Sequence, residues 1–176
     1  MKLPPLIGIA GRARTGKDTT VDFLIAQYGG YRYSFADPLR AMLKVGLGID
    51  MDDTYWKMNK ENTIPALGCS PRQLLQTLGT EWGRQQVHPD VWLIMASDML
   101  HRRGRGMVIS DIRFENEAAW VRKHDGVVIH QERDAAPAIR EHASEVPLII
   151  EPADTRLYNN AGLMELQFAV SRLFHE

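Results

Sequence analysis

Leu6-Ile7-Gly8-Ile9-Ala10-Gly11-Arg12-Ala13-Arg14-Thr15-Gly16-Lys17-Asp18-Thr19-Thr20 is the stretch on which the reading of this chain turns. Leu6 to Ala10 is a short apolar run, as in a strand buried on both faces of a parallel sheet. Gly11 to Lys17 then matches G-x-x-x-x-G-K. Beyond it Val21, Leu24, Ile25 and Tyr28 recur at helical spacing, and Gly29-Gly30 stops the helix. Strand, glycine loop and helix in that order suit phosphate. Glycines let backbone N–H groups wrap an anion, and the helix N-terminus adds partial positive charge. Lys17 is placed to reach the outer phosphates. The position after the lysine is ordinarily Ser or Thr touching Mg²⁺. Here it is Asp18, a hard ligand able to act directly or through water, while Thr19 can still bond a phosphate. A chance glycine turn is the alternative, and the flanking strand and helix argue against it.

Working outward, Tyr31 to Phe35 reads as a second strand, and Asp37-Pro38 as a helix cap followed by a first-turn proline. Residues 46–69 are rich in Gly, Pro and acids and read as a partly mobile insertion. Ser70-Pro71-Arg72-Gln73 opens a helix with a capping box, and another helix runs from about Asp90 to Gly104. Met107 to Ser110 is a buried strand finishing at Asp111, Glu115 to His124 a helix, and Val127 to Ile129 a strand. Residues 133–153 read as a flexible loop, Thr155 to Tyr158 as a last strand, and Leu163 to Phe174 as a closing helix. Alternating strands and helices predict an α/β fold: a three-layer arrangement on a parallel sheet, in a single domain over 1–176.

The chain has 176 residues and a net charge of −1, too little basic excess for a nucleic-acid footprint, so a small-molecule ligand is the default. Cys69 is the only cysteine, which excludes an intrachain disulfide and a cysteine-built zinc site. No apolar run is long enough to span a membrane, and the N-terminal one enters the glycine loop and is not read as a signal peptide. A cytoplasmic protein is expected, in the host cytoplasm if phage-encoded.

A second constellation, Ser110-Asp111-Ile112-Arg113, lies at a strand end, the edge where open α/β sheets bind ligands. Asp111 can position a metal-bound water, hold an arginine, or merely cap the next helix; Arg113 can grip a phosphate with its planar fork. Arginines recur at loop or helix-start positions: Arg14, Arg40, Arg72, Arg113, Arg133 and Arg140. Transfer between two phosphate-bearing molecules needs such charge. Trp82 and Trp92 suit stacking on a base or plain core packing. The six histidines show no metal spacing.

Several separated blocks together resemble the phage-type deoxynucleoside monophosphate kinases: Thr15-Gly16-Lys17-Asp18-Thr19-Thr20, Phe35-Ala36-Asp37-Pro38-Leu39-Arg40, Arg72-Gln73-Leu74-Leu75-Gln76-Thr77-Leu78-Gly79-Thr80-Glu81, Asp90-Val91-Trp92, Ser110-Asp111-Ile112-Arg113-Phe114-Glu115-Asn116-Glu117 and His142-Ala143-Ser144-Glu145. The resemblance covers nearly the whole chain. It implies a P-loop NTPase fold of the NMP-kinase type with mobile acceptor-binding and lid segments. It further implies ATP as donor with Mg²⁺, and a deoxynucleoside monophosphate as acceptor. By motif position Gly11, Arg14, Thr15, Gly16, Lys17, Asp18 and Thr19 would hold ATP, with Asn159 on the adenine side and Asp18 at the metal. Asp37, Arg40, Arg72, Trp92, Asp111, Arg113 and Glu145 would face the acceptor, and Lys17, Arg113 and Arg133 would serve the transfer itself. Residues 37–100 would form an acceptor-binding helical region and 133–153 the lid. A homodimer stays open. So do two rival activities: a kinase of another phosphorylated metabolite, similar to phosphomevalonate kinases, and a regulatory ATPase without an acceptor.

Overall fold

The computed structural model describes residues 4–134 and 148–174. Its sheet has five parallel strands: β1 (Leu6–Ala10), β2 (Tyr31–Tyr33), β3 (Met107–Ile112), β4 (Val127–Glu132) and β5 (Thr155–Tyr158), in the order β2-β3-β1-β4-β5. All five residues of β1 are buried, as the apolar run predicts. Alternation along the strands sorts the two faces. Ile7, Ile9, Val108, Ile129 and Leu157 pack with Val21 and Leu24 of α1 (Lys17–Tyr28) and with Leu166 and Val170 of α7 (Leu163–Arg172). Gly8 points the other way: a Cβ there would stand 3.0 Å from Val121 of α6 (Glu115–Lys123) and 2.9 Å from Ile112. Helices thus cover both faces, which gives the expected three layers. Each fully buried Val, Leu or Ile contributes about 1.5–3 kcal/mol.

From β1 the chain moves towards β2, and from β4 it moves the opposite way to β5. The carboxyl ends of β1 and β4 are neighbours, with Ala10 opposite His130. Their connections therefore diverge and leave a crevice of the kind that binds ligands in open α/β sheets.

The chain forms two compact units: residues up to Ser34 together with those from Ser97 onward, and Phe35–Ala96. The second holds α2 (Ala36–Leu47), α3 (Asp53–Asn59), α4 (Pro71–Gln76), a wide-turn helix over Thr77–Val87 and the start of α5 (Val91–Arg103). The capping box is present: Ser70 Oγ accepts from Gln73 N–H at 3.3 Å and Ser70 N–H donates to Gln73 Oε1 at 2.8 Å. Gly79 and Gly83 lie on one face of the wide-turn helix and accommodate an indole. Trp92 Nε1 donates to the Gly79 carbonyl at 2.8 Å, and a Cβ on Gly83 would come within 2.4 Å of the ring.

Two local expectations are corrected. Asp37 does not cap α2: the helix begins at Ala36, and Phe35, only 4% exposed and already helical in its backbone, takes the cap position. The strand read over 31–35 ends at Tyr33. Within 46–69 lies α3, capped by Asp52, whose carboxylate accepts from Tyr55 N–H at 2.7 Å. Residues 135–147, most of the expected lid, with Arg140, His142 and Glu145, lie outside the described residues. No helix among the described residues is long and apolar enough to cross a membrane.

Candidate functional site

The loop from Gly11 to Lys17 joins the end of β1 to the first turn of α1. Gly11 (φ +150°) and Gly16 (φ +97°) adopt conformations that L side chains rarely take. Space excludes a side chain as well: a Cβ on Gly11 would meet the Gln131 carbonyl oxygen at 2.4 Å, and one on Gly16 would meet Asn159 Nδ2 at 2.5 Å. Arg14 is exposed and left-handed at φ +64°. Thr15 is buried and its hydroxyl donates to the Arg12 carbonyl at 3.0 Å. Lys17 lies back over the loop, its ammonium donating to the Gly11 and Arg12 carbonyls at 2.6 Å each. Its charge is thereby held at the mouth of the loop.

Asp18 stands in the first turn of α1 with its side chain 82% exposed. Its Oδ1 accepts from Arg32 Nη1 at 3.0 Å, and its carbonyl from Arg32 Nη2 at 3.1 Å. Nothing local in the sequence marks Arg32, on β2, as this partner, because the rest of α1 and a turn lie between the two residues. Asn159 follows β5, but its side chain points at the loop: Nδ2 donates to the Thr15 carbonyl at 2.8 Å. Gln131 Nε2 reaches the same oxygen at 2.9 Å.

At the end of β3, Asp111 Oδ2 accepts from the Ser34 hydroxyl at 2.6 Å. The cap position of α6 is Phe114, and Glu117 closes that end, its Oε2 accepting from the N–H groups of Arg113 (2.6 Å) and Phe114 (3.0 Å). Glu117 is 1% exposed, so the backbone that carries Arg113 is held by a buried carboxylate. The Arg113 and Arg133 side chains are exposed. Just beyond Arg133, Asp134 and Asn160 bond reciprocally at 2.9 Å.

Residues 148–154 are moored to α6 and β4. Arg122 reaches Glu115, Glu151 and Asp154, and His130 Nε2 lies 2.9 Å from Asp154 Oδ2. Burial by itself would raise the Asp154 carboxyl; hydrogen bonds from Arg122, the Glu151 N–H and His130 outweigh it and hold it below the ordinary carboxylate range. The Asp154 carboxylate, with Glu115 and Glu151 beside it, outweighs burial and pushes the Arg122 guanidinium above its usual value.

Within the helical unit, Arg40 and Arg72 share one indole. Their Cζ atoms stand 5.4 and 5.9 Å from the Trp56 ring centre, within cation–π range. Arg72 Nε donates to Glu61 Oε1 at 2.8 Å, and Arg40 lies 3.4 Å from Asp37. Sequence reasoning found both arginines and missed Trp56, since nothing local marks an aromatic as a bracket. Trp92, read as an acceptor contact, is 2% exposed and packs inside its own unit. Among the described residues no three His, Cys, Asp or Glu side chains gather as a metal cluster.

Comparison with known proteins follows the same lines. The model of the family deoxynucleotide monophosphate kinase matches residues 5–69 and 66–170. A protein of Acanthamoeba polyphaga mimivirus, named as a deoxynucleotide monophosphate kinase, is 30% identical over 175 residues, 91% of each chain. The deoxynucleoside-5'-monophosphate kinase of Escherichia phage T5 is 27% identical over 179 residues, covering 67% of this chain and 72% of that one. The solved structure of the dephospho-CoA kinase of Campylobacter jejuni superposes with a TM-score of 0.53 over 100% of this chain and 97% of that chain; at 13% identity the similarity concerns the fold. The resemblance carried by the separated sequence blocks agrees with these matches, and the chain belongs to the deoxynucleotide monophosphate kinase family.

Proposed function

We propose that the chain transfers the γ-phosphate of ATP to a deoxynucleoside monophosphate, giving ADP and the deoxynucleoside diphosphate. The observation that carries this reading is the loop itself: two glycines whose side-chain space is occupied, an ammonium at the mouth, and a helix N-terminus behind it. An acceptor phosphate oxygen forms a bond to Pγ as the bond from Pγ to the bridging β-oxygen breaks, its electrons passing to ADP. The acceptor oxygen is already ionised at neutral pH, so no general base is needed.

Lys17 and the loop N–H groups bind and orient the transferring phosphate. Asp111 and Arg113, at the carboxyl end of β3, are assigned to the acceptor. Asp37, Arg40 and Arg72 carry the same assignment by motif position. Arg133 is assigned to the charge that develops on transfer. A Mg²⁺ on ATP needs only one or two protein carboxylates beside phosphate oxygens and water. Asp18, an exposed hard donor one residue after Lys17, fits that requirement, although Arg32 already takes one of its oxygens. When bound, the ion would neutralise phosphate charge. A coupled assay of ADP release across a panel of ribo- and deoxynucleoside monophosphates tests the reading. Stimulation by deoxynucleoside monophosphates is expected; release indifferent to every monophosphate would point to a regulatory ATPase instead.

A further inference from the structure

On β4 the residues that face α1 and α7 include Ile129, and on β5 Leu157. Two residues further along each strand direction, the same face carries Gln131 and Asn159. Gln131 is 1% exposed and Asn159 9%. Two carboxamides therefore replace the apolar stripe where it reaches the phosphate loop, and both donate to one acceptor, the Thr15 carbonyl, at 2.9 and 2.8 Å.

That carbonyl belongs to the peptide whose N–H is Gly16. A trans peptide carries its C=O and N–H on opposite sides. Glycine tolerates either orientation of the peptide before it, so sequence leaves this unit free to flip. A carbonyl has two lone pairs, and two donors saturate both. We infer that Gln131 and Asn159 are positioning residues of the phosphate loop, which together hold the Thr15 carbonyl inward and so aim the Gly16 N–H at the bound phosphate. This rests on the reading of the loop as the ATP site, and it moves Asn159 from an adenine contact to a brace. Gln131 Oε1 is buried with no hydrogen-bond partner among the described residues, a cost to stability. A Gln is kept at an apolar position for its donor.

Calorimetric ATP affinity, thermal melting and steady-state kinetics on the full chain test this. Gln131→Met keeps the apolar stripe; it is expected to melt no lower than the parent while ATP binds about tenfold more weakly. Asn159→Leu is expected to weaken ATP similarly, and the acceptor KM should stay within about twofold in both. Gln131→Glu supplies a signature that mere packing would not. Its carboxylate repels the Thr15 carbonyl, whereas the protonated acid can donate to it. The deficit in ATP affinity relative to the parent should shrink from about pH 8.5 to about pH 6, because burial raises the acid's pKa. Folded Gln131→Met and Gln131→Glu proteins that bind ATP as the parent does would overturn the inference and leave the kinase reading standing. A parent that binds no ATP would remove both. If Gln131→Met fails to fold, a pH-independent deficit in Gln131→Glu decides against the inference.

Discussion

Arg122 grips Asp154 through two parallel hydrogen bonds, Nε to Oδ1 at 3.1 Å and Nη2 to Oδ2 at 2.7 Å. The Asp154 side chain has no exposure and that of Arg122 15%, so solvent screens the pair little. Removing the carboxylate in Asp154→Ala also strips acceptors from His130 and the Glu151 N–H. Glu115 and Glu151 still neutralise Arg122, which moderates the loss to about 3 kcal/mol. Urea unfolding of parent and variant at neutral pH measures it. The pH dependence has a definite sign. The folded Asp154 pKa is depressed, so its contribution is complete above the unfolded value of about 3.9 and disappears as pH falls through the folded value. The gap in stability between parent and Asp154→Asn should be full at neutral pH and close in acid.

Lys17→Ala should leave the melting temperature near that of the parent, because Lys17 is only half-buried and the Gly11 and Arg12 carbonyls to which its ammonium donates belong to exposed loop residues. Turnover should fall by about a thousandfold, since the charge serves the transferring phosphate. Single-turnover ADP formation with saturating ATP makes the comparison. A folded variant of normal activity would remove the reading of the loop.

Arg113→Lys and Arg72→Lys test the acceptor assignment. The backbone at Arg113 is held by Glu117, and Arg72 is fixed by Glu61 and the face of Trp56. An ammonium reproduces neither a planar fork nor a stacked guanidinium. With the monophosphate varied, kcat/KM should drop about ten- to a hundredfold in each, while calorimetric ATP affinity changes little. Trp56→Ala should act in the same direction, because it unseats Arg40 and Arg72 together. Equal loss of ATP affinity would move the arginines to the donor side.

Asp18 is contested between a metal and an arginine. If it helps to hold Mg²⁺, Asp18→Ala should raise the Mg²⁺ requirement more than the ATP requirement, and Asp18→Ser should recover much of the loss. Arg32→Ala should then lower the Mg²⁺ requirement, because it frees the Oδ1 now taken at 3.0 Å. Magnesium titrations of initial rate at fixed ATP separate the cases. Unchanged metal dependence in all three variants assigns Asp18 to pairing β2 with α1.

Local chemistry made much of this protein legible in its residues alone. The buried run Leu6–Ala10, the glycine loop and the capping box at Ser70 each act within a few residues of themselves, and each stands where the sequence places it. Hydrophobic periodicity likewise announced the alternation of strands and helices, because burial on a sheet or a helix face repeats every two or every 3.6 residues. Tertiary structure decided how polar groups pair. Gln131 and Asn159 meet at the Thr15 carbonyl from 116 and 144 residues away, and Ser34 reaches Asp111 from 77. Arg32 claims Asp18 across the loop and helix that separate them, and Trp56 gathers two arginines from two different helices. A hydrogen bond or a stacked cation needs only a donor and an acceptor brought within about 3–6 Å. Residue type advertises that capacity, whereas only the strand order and the packing of the helices select the partner.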